Sequence, residues 1–179
     1  ASDHRKAWIG LRARATDVSC TTDGSSAETT AGFITAKGQL DSPHGVAGDL
    51  VCIASPEYYL LKMTGFSEVL TVDKFGPAAT IFSGQLAALL GVPIVISEFV
   101  DAKYNASGIY DAVTETKTGF ILCNRQRFKL GMRRGAAVEI DKDITRGIFN
   151  LVGTVREVMF TVDSSTKKNV HWNYNLTAS

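Results

Sequence analysis

The sequence has few cysteines and histidines and no excess of either charge. Its 179 residues include three cysteines, three histidines, 19 Lys plus Arg and 18 Asp plus Glu. Three widely separated cysteines, Cys20, Cys52 and Cys123, form no disulfide framework, and we expect buried free thiols and a reducing compartment. The net charge of +1 gives no long-range attraction to nucleic acid or to a membrane. Any electrostatic function must therefore be local.

Motifs for catalysis, metal binding and membrane insertion are also missing. His4, His44 and His171 do not lie at ligand spacing from one another or from a cysteine pair, so we expect surface histidines and no metal site. The sequence contains no Gly-x-Ser-x-Gly elbow and no Gly-x-x-x-x-Gly-Lys phosphate loop. No apolar stretch reaches the roughly 18 residues of a membrane-spanning helix. No basic-then-apolar leader opens the chain. These absences predict a protein that is not an enzyme and has no cofactor or membrane partner.

The first half of the chain contains several segments that predict packed helices and strands. Residues 3–15 predict an amphipathic helix, and 16–48, rich in Thr, Ser, Gly and Asp, predict a long loop with at most one hairpin. The apolar run 49–54 predicts a buried strand. Ser55-Pro56-Glu57 then predicts a helix start, because Ser caps and Pro tolerates the first helical position. Residues 92–96 predict another strand.

The second half has the pattern of β-strands from residue 119 onward. Basic residues alternate over 125–129 and acidic residues over 139–143, on either side of a turn predicted at Arg133. Such a hairpin places Arg127 opposite Glu139, an ion pair worth about 0.2–1 kcal/mol.

Further strand signals follow a break predicted at 144–150. Residues 151–162 are rich in strand-forming side chains. Apolar and polar residues alternate near the end of the chain, so 164–179 predict a tail or an edge strand.

Two pairs of carboxylates would suit a different class of protein. Alternation along a strand puts Asp141 and Asp143 about 6–7 Å apart on one face, and Glu98 with Asp101 forms the second pair. A small cytosolic α/β hydrolase or transferase using either pair predicts a concave pocket and a carboxylate with a raised pKa. Charges on a solvated outer face explain the same residues without catalysis, and a binding domain of α+β type is a third alternative.

The order of these segments resembles the C-terminal two-thirds of the tailed-bacteriophage major capsid proteins, whose Hong Kong 97-type fold is shared with encapsulins. The resemblance covers about 3–163, and its strongest motifs are the strand-Ser-Pro-helix element at 50–59 and the Gly-Val-Pro-Ile-Val turn at 91–95. The N-terminal arm, extended loop and spine helix of the family have no visible counterpart. The resemblance implies an α+β fold with the following parts: an axial domain over 1–126, in which 16–48 is a long loop or insertion, peripheral-domain strands and an inter-subunit loop over 127–163, and the tail or edge strand 164–179.

The same resemblance implies a shell subunit with no catalytic residue. Copies would form hexamer and pentamer capsomers of an icosahedral head, assembled in the bacterial cytoplasm and enclosing double-stranded DNA without sequence specificity. Scaffold, portal and decoration proteins would be further partners, and an encapsulin-like compartment for protein cargo is the alternative. Contacts between subunits are expected from the following residues: Asp141, Lys142, Asp143, Thr145, Arg146, Arg156 and Glu157.

Overall fold

A computed structural model of the chain describes residues 10–24, 29–41, 49–66, 88–100, 103–113, 116–143 and 145–177. The described residues form a mixed α+β fold. Its helices are α1 (Leu11–Asp17), α2 (Thr30–Gly38) and α3 (Pro56–Leu61), with short 3-10 turns at Met63–Gly65 and Arg125–Arg127. Its strands are β1 (Thr21–Asp23), β2 (Leu50–Ala54), β3 (Ala88–Leu89), β4 (Val92–Ile96), β5 (Lys117–Asn124), β6 (Phe128–Asp143), β7 (Ile148–Thr161) and β8 (Val170–Thr177).

The chain divides into two compact units. Residues 10–127 and 163–179 form one of them, which we call the sheet unit, and residues 128–162 belong to the other. Strands β6 and β7 pair only with each other among the described residues, and we call this hairpin the ribbon. No helix of the described residues has both the length and the apolar character needed to cross a bilayer.

The sheet unit contains a six-stranded sheet in the order β1-β8-β5-β2-β4-β3. Strands β1 and β8 are parallel, as are β2 and β4, and the other neighbours are antiparallel. Aromatic side chains from α2, α3 and β5 meet in the core. The ring centroids of Phe33 and Tyr58 lie 5.7 and 6.2 Å from that of Phe120.

The start of α3 confirms the helix predicted from Ser55-Pro56-Glu57. The Ser55 hydroxyl accepts a hydrogen bond from the backbone N–H of Tyr58 at 3.2 Å, and Pro56 occupies the first helical turn. A second donor, the Thr118 hydroxyl of β5, reaches Ser55 Oγ at 2.9 Å. The cap therefore also joins the helix to the sheet.

The long loop predicted over 16–48 is wrong where the structure describes it. This stretch contains β1 and the nine-residue helix α2. Phe33 and Ala36 lie three residues apart on one face of α2, and both are buried. Burial of that face stabilises a helix although threonine and glycine have low helix propensity.

The edge strand predicted at the end of the chain is an interior strand. Strand β8 lies between β1 and β5 and is buried on both faces. His171, predicted to lie at the surface, is fully buried there, and its Nδ1 lies 3.8 Å from Cys20 Sγ. Burial lowers the pKa of His171 to about 4, and the charge of Lys168 adds to this shift.

Cys20, Cys52 and Cys123 are buried free thiols, as predicted. Burial raises the pKa of Cys20 to about 11 and that of Cys123 to about 12, so both thiols stay protonated and poorly reactive. Strand β4 confirms the strand predicted at 92–96. The first predicted helix is observed only as α1, and its earlier part lies outside the described residues.

Candidate assembly interface

The ribbon is one long antiparallel hairpin. Its register runs from Phe128 opposite Thr161 to Asp143 opposite Ile148. The turn at its tip contains Gly147, whose φ of 65° is a conformation that glycine adopts without steric cost. The centre of the observed turn therefore lies about twelve residues beyond the turn predicted at Arg133.

The predicted pairing of Arg127 with Glu139 is wrong for the same reason. Glu139 lies opposite Val152, and Arg127 Nη1 instead lies 3.6 Å from Asp163 Oδ1. Strand β6 continues through its glycine-containing basic stretch because two register shifts, between Met132 and Ala137, take up the extra residues. Such bulges bend a strand without ending it.

The register divides the ribbon into two faces. Residues directly opposite each other in an antiparallel pair point to the same side, and successive residues point to opposite sides. We call the side of the odd-numbered β7 residues the apolar face and that of the even-numbered ones the charged face. Because the two shifts in β6 each add one residue, their effects on alternation cancel. Leu130 and Ile140 therefore lie on the same face, opposite Met159 and Leu151.

The apolar face is exposed over much of its length in the single chain. Large apolar side chains that are each 52–68% exposed line it. Lys142 also belongs to this face, and its Nζ lies 5.5 Å from the ring centroid of Phe149. The exposed apolar residues of this face are Leu130, Met132, Val138, Ile140, Phe149, Leu151 and Val155.

The charged face combines ionic residues of β6 with apolar residues of β7. Lys129 lies near the base of the ribbon, whereas Glu139 and Asp141 lie near its tip. The apolar side chains beside them are half exposed, at 46–51%. They are Ile148, Val152, Val158 and Phe160.

The structure separates the predicted contact residues into two groups. Asp141, Lys142, Asp143, Thr145 and Arg146 lie at the tip of the ribbon. The other two, Arg156 and Glu157, lie opposite Arg134 and Met132.

The second group is far from the tip. Arg156 is six residues along β7 from the residue opposite Asp141, a separation of about 20 Å at the usual strand rise. Arg156 and Glu157 also point to opposite faces. The seven residues therefore do not form one cluster.

Of the two predicted carboxylate pairs, Asp141 and Glu98 are exposed. Asp101 and the side chain of Asp143 lie outside the described part of the structure. A hollow of about 430 Å³ exists in the sheet unit, and Asp17 is the one carboxylate among its lining residues. The described part of the chain also contains no group of three or more potential metal ligands.

The exposed apolar face is the feature that the sequence reading missed. Its signal is the even spacing of Leu130, Met132, Val138 and Ile140, which alternation assigns to one side of a strand. The basic run and two glycines between them were instead interpreted as a turn.

Comparison with solved structures gives ten similar chains, and three of them are the following. A chain from Mycobacterium phage Che8 matches with a TM-score of 0.59 and 15% identity over 91% of this chain and 56% of its own. A chain of the mature capsid of bacteriophage PhiM1 matches with a TM-score of 0.52 and 14% identity, over 86% of this chain and 50% of its own. A chain of the capsid of cyanophage P-SCSP1u matches with a TM-score of 0.51 and 17% identity, over 89% of this chain and 49% of its own.

The chain thus spans about half the length of these three phage chains. No family model matches the sequence. No curated protein matches it at a significant level either.

Proposed function

We propose that this chain, which has the Hong Kong 97-like fold of tailed-phage major capsid proteins, is the shell-forming part of such a protein. Copies of it assemble into hexamer and pentamer capsomers of an icosahedral head. The head is built in the bacterial cytoplasm and encloses double-stranded DNA held without sequence preference. Its role is structural, not enzymatic.

The uncovered apolar face of the ribbon is the observation that supports an assembling protein. An isolated two-stranded hairpin is marginally stable in water. A continuous apolar surface on a soluble protein usually marks a contact with another protein. Among the described residues the two strands of the ribbon pair only with each other, and the ribbon carries such an apolar surface, so it is suited to a protein that functions packed among neighbours.

The two units suit the two domains that the resemblance implies. In this proposal the sheet unit is the axial domain, and the ribbon belongs to the peripheral domain. The predicted contact residues at the tip, Asp141 to Arg146, are exposed where described, which suits a contact with neighbouring subunits. Scaffold, portal and decoration proteins would bind the assembled shell.

Electron microscopy of the full-length gene product that contains this chain tests the proposal. Expression in bacterial cells should yield closed particles of uniform size. Packaged DNA would support the phage head, whereas particles filled with an enzyme cargo would favour the encapsulin-like alternative. A product that remains monomeric or dimeric under all assembly conditions would contradict the shell function.

A pair of ribbon variants links this result to the structure. Ile140→Asp with Leu151→Asp puts two charges on the apolar face and should abolish particles. Asn150→Asp adds a charge to the opposite face at the next position of β7, and particles should still form. Circular dichroism of both products checks that the sheet unit is folded. Assembly that is equally sensitive to both changes would show that the apolar face has no special role.

A further inference from the structure

Phe99 is the most exposed large apolar side chain among the described residues, at 96%. The turn that carries it is nevertheless fixed by hydrogen bonds on both sides. The Ser97 N–H donates to the Ala54 carbonyl oxygen at 2.9 Å, and the Val100 N–H donates to the Ser97 carbonyl oxygen at 3.2 Å. The Ser97 hydroxyl oxygen accepts from the Phe99 N–H at 3.3 Å, and Val100 is buried. The turn therefore holds the Phe99 ring in water.

The hollow of the sheet unit has an aromatic lining. It measures about 430 Å³ and is lined by residues of α1, β1, β8 and a loop that precedes β5. Trp172 and Tyr174 of β8 supply the aromatic rings. Arg12 of α1 joins the helix to the loop, because its Nη1 donates to the Gly108 carbonyl oxygen at 3.3 Å. A hollow of this size is in the range of sites that enclose a bound group.

Trp172, which lines the hollow, has an indole N–H without an acceptor. The residue is only 3% exposed, and its Nε1 makes no hydrogen bond within the described part of the chain. Tyr104 meets the Trp172 ring edge-on, with the ring centroids 5.5 Å apart. Buried tryptophan N–H groups usually find a hydrogen-bond partner. A bound group that combines an apolar ring with an acceptor would therefore suit the hollow.

Phe99 and the hollow lie towards opposite edges of the six-stranded sheet. The strand order separates β8 from β4 by three strand spacings, on the order of 14 Å. The register puts Asn173 of β8 and Ile96 of β4 in one row across the sheet. The two aromatic residues of the hollow flank Asn173, and Phe99 follows Ile96 by three residues. The projecting ring and the hollow are therefore at a similar level along the strands.

We propose that Phe99 of one copy of this chain inserts into the hollow of the next copy, so that the copies join head to tail. The Phe99 ring would pack on Trp172 and Tyr174. A backbone carbonyl oxygen of the Phe99 turn would accept from the Trp172 N–H. A contact between two different surfaces of one chain gives a ring when the rotation that repeats it closes. This inference rests on the proposed function, since it names a contact that would connect the subunits of a capsomer.

Symmetry selects a second copy as the occupant of the hollow. A ring of five or six copies requires each copy to present two different surfaces that fit each other. Phe99 and the hollow are two such surfaces, and aromatic rings attract each other in edge-to-face and offset arrangements. Val95 adds apolar surface next to the Phe99 turn, because it is 49% exposed and shares a row and a sheet face with Trp172. A free small molecule would occupy the hollow and leave Phe99 in water.

Two variants of the full-length gene product test the contact by sedimentation velocity of the forming capsomers. Phe99→Gln removes the projecting ring. Thr16→Trp places a large ring in the hollow from an exposed position on α1. Each variant should weaken association about thirtyfold, a loss typical of a side chain that dominates an interface.

Each variant has a matched control in α2. Ile34→Gln removes another exposed apolar side chain. Thr35→Trp changes a second exposed helical threonine, whose hydroxyl donates to the carbonyl oxygen four residues earlier, as that of Thr16 does. Both controls should associate like the wild type, and circular dichroism checks that all four variants are folded. Normal association of Phe99→Gln would overturn the proposal, whatever the result for Thr16→Trp.

Crosslinking distinguishes a head-to-tail contact from a two-fold one. Copies with Phe99→Cys and differently tagged copies with Thr16→Cys should be joined by a short bismaleimide. Copies with Phe99→Cys alone should not be joined to each other, because position 99 meets the hollow and not a second position 99. Thr35→Cys in place of Thr16→Cys should give no product. The three native cysteines of this chain are buried and should not react.

The crosslink and the particle assay have separate outcomes. A crosslink between positions 99 and 16 without closed particles would support the head-to-tail contact and contradict the shell. Closed particles without this crosslink would overturn the contact and leave the shell function standing. A crosslink between two copies of position 99, or one of equal yield to position 35, would also overturn the contact.

Discussion

Ser55 joins a helix and a strand through one buried hydroxyl group. It accepts hydrogen bonds from the Tyr58 N–H and the Thr118 hydroxyl, and its side chain is inaccessible to solvent. Replacement by alanine removes the helix cap and leaves the Thr118 hydroxyl buried without this partner. We expect Ser55→Ala to lower the free energy of unfolding by about 2 kcal/mol, as measured by urea denaturation.

Thr35 is the matched control for Ser55. Its hydroxyl donates to the Ala31 carbonyl oxygen at 3.0 Å from an exposed position on α2. Thr35→Ala should change the stability by less than about 0.5 kcal/mol. If the two substitutions lower the free energy of unfolding equally, the buried hydrogen bond between Ser55 and Thr118 does not contribute to stability.

His171 makes the stability of the sheet unit depend on pH. Its pKa is about 4 in the folded chain against an ordinary value of 6.5, because burial disfavours the charged imidazole. Between these two values the unfolded state binds more protons, so the free energy of unfolding rises with pH and levels off above 6.5. Lowering the pH from 7.5 to 5.5 should therefore remove roughly 1 kcal/mol through this residue.

His171→Asn removes the titrating group, and its urea midpoints at the two pH values measure the effect. We expect the wild-type chain to lose more stability than the variant between pH 7.5 and 5.5. Lost packing in the variant would lower its stability at both pH values and would not alter this comparison. An equal pH dependence in both proteins would mean that His171 is not the group responsible.

At the scale of elements, the sequence predicts correctly those features that a few neighbouring residues determine. Ser55-Pro56 specifies a helix start within four residues, and the apolar run of β2 specifies a buried strand. The sequence does not predict helix α2, because its composition is typical of a loop. The burial of Phe33 that stabilises this helix depends on contacts with the sheet, which the local sequence does not show. The interior position of β8 depends on β1, which lies about 150 residues earlier in the chain, and alternation within β8 carries no information about that partner.

The ribbon shows why the predicted contact residues are only partly brought together. Alternation correctly indicated two strands with charged residues on them. The register depends on which glycine makes the turn, and Gly131, Gly135 and Gly147 were all compatible with a hairpin. A turn at Arg133 gives every residue of the hairpin a different cross-strand partner. With that register, Leu130 and Ile140 are not recognised as lying on one face.

Two glycines of the ribbon give a test of the observed turn. Gly147 has a positive φ, and a Cβ atom there would meet no other atom within 4 Å, so Gly147→Ala introduces backbone strain alone. We expect a cost of about 1 kcal/mol and amide hydrogen exchange in β6 and β7 that is about fivefold faster. Gly153 has the same open space but a strand conformation, and Gly153→Ala should be neutral or slightly stabilising. Faster exchange in both variants would place the turn elsewhere.

At the scale of the whole molecule, burial is distributed unequally between the two units. The hydrophobic core formed by the described residues lies in the sheet unit, whereas most described side chains of the ribbon are exposed. In the proposed shell, the ribbon would gain its stability mainly from contacts with other subunits. Stability and assembly would then be coupled through the ribbon more than through the sheet.

Hydrogen exchange before and after assembly measures this coupling directly. In the unassembled full-length product, the amides of β6 and β7 should exchange much faster than those of β5, because exchange follows the free energy of local opening. On assembly, protection of the ribbon should rise by about a hundredfold or more, which corresponds to about 3 kcal/mol gained from contacts. Strand β5, already buried in the sheet unit, is the internal control and should change little. A ribbon as strongly protected as β5 before assembly would mean that its faces are covered within one molecule, and subunit contacts would then have to arise from the sheet unit.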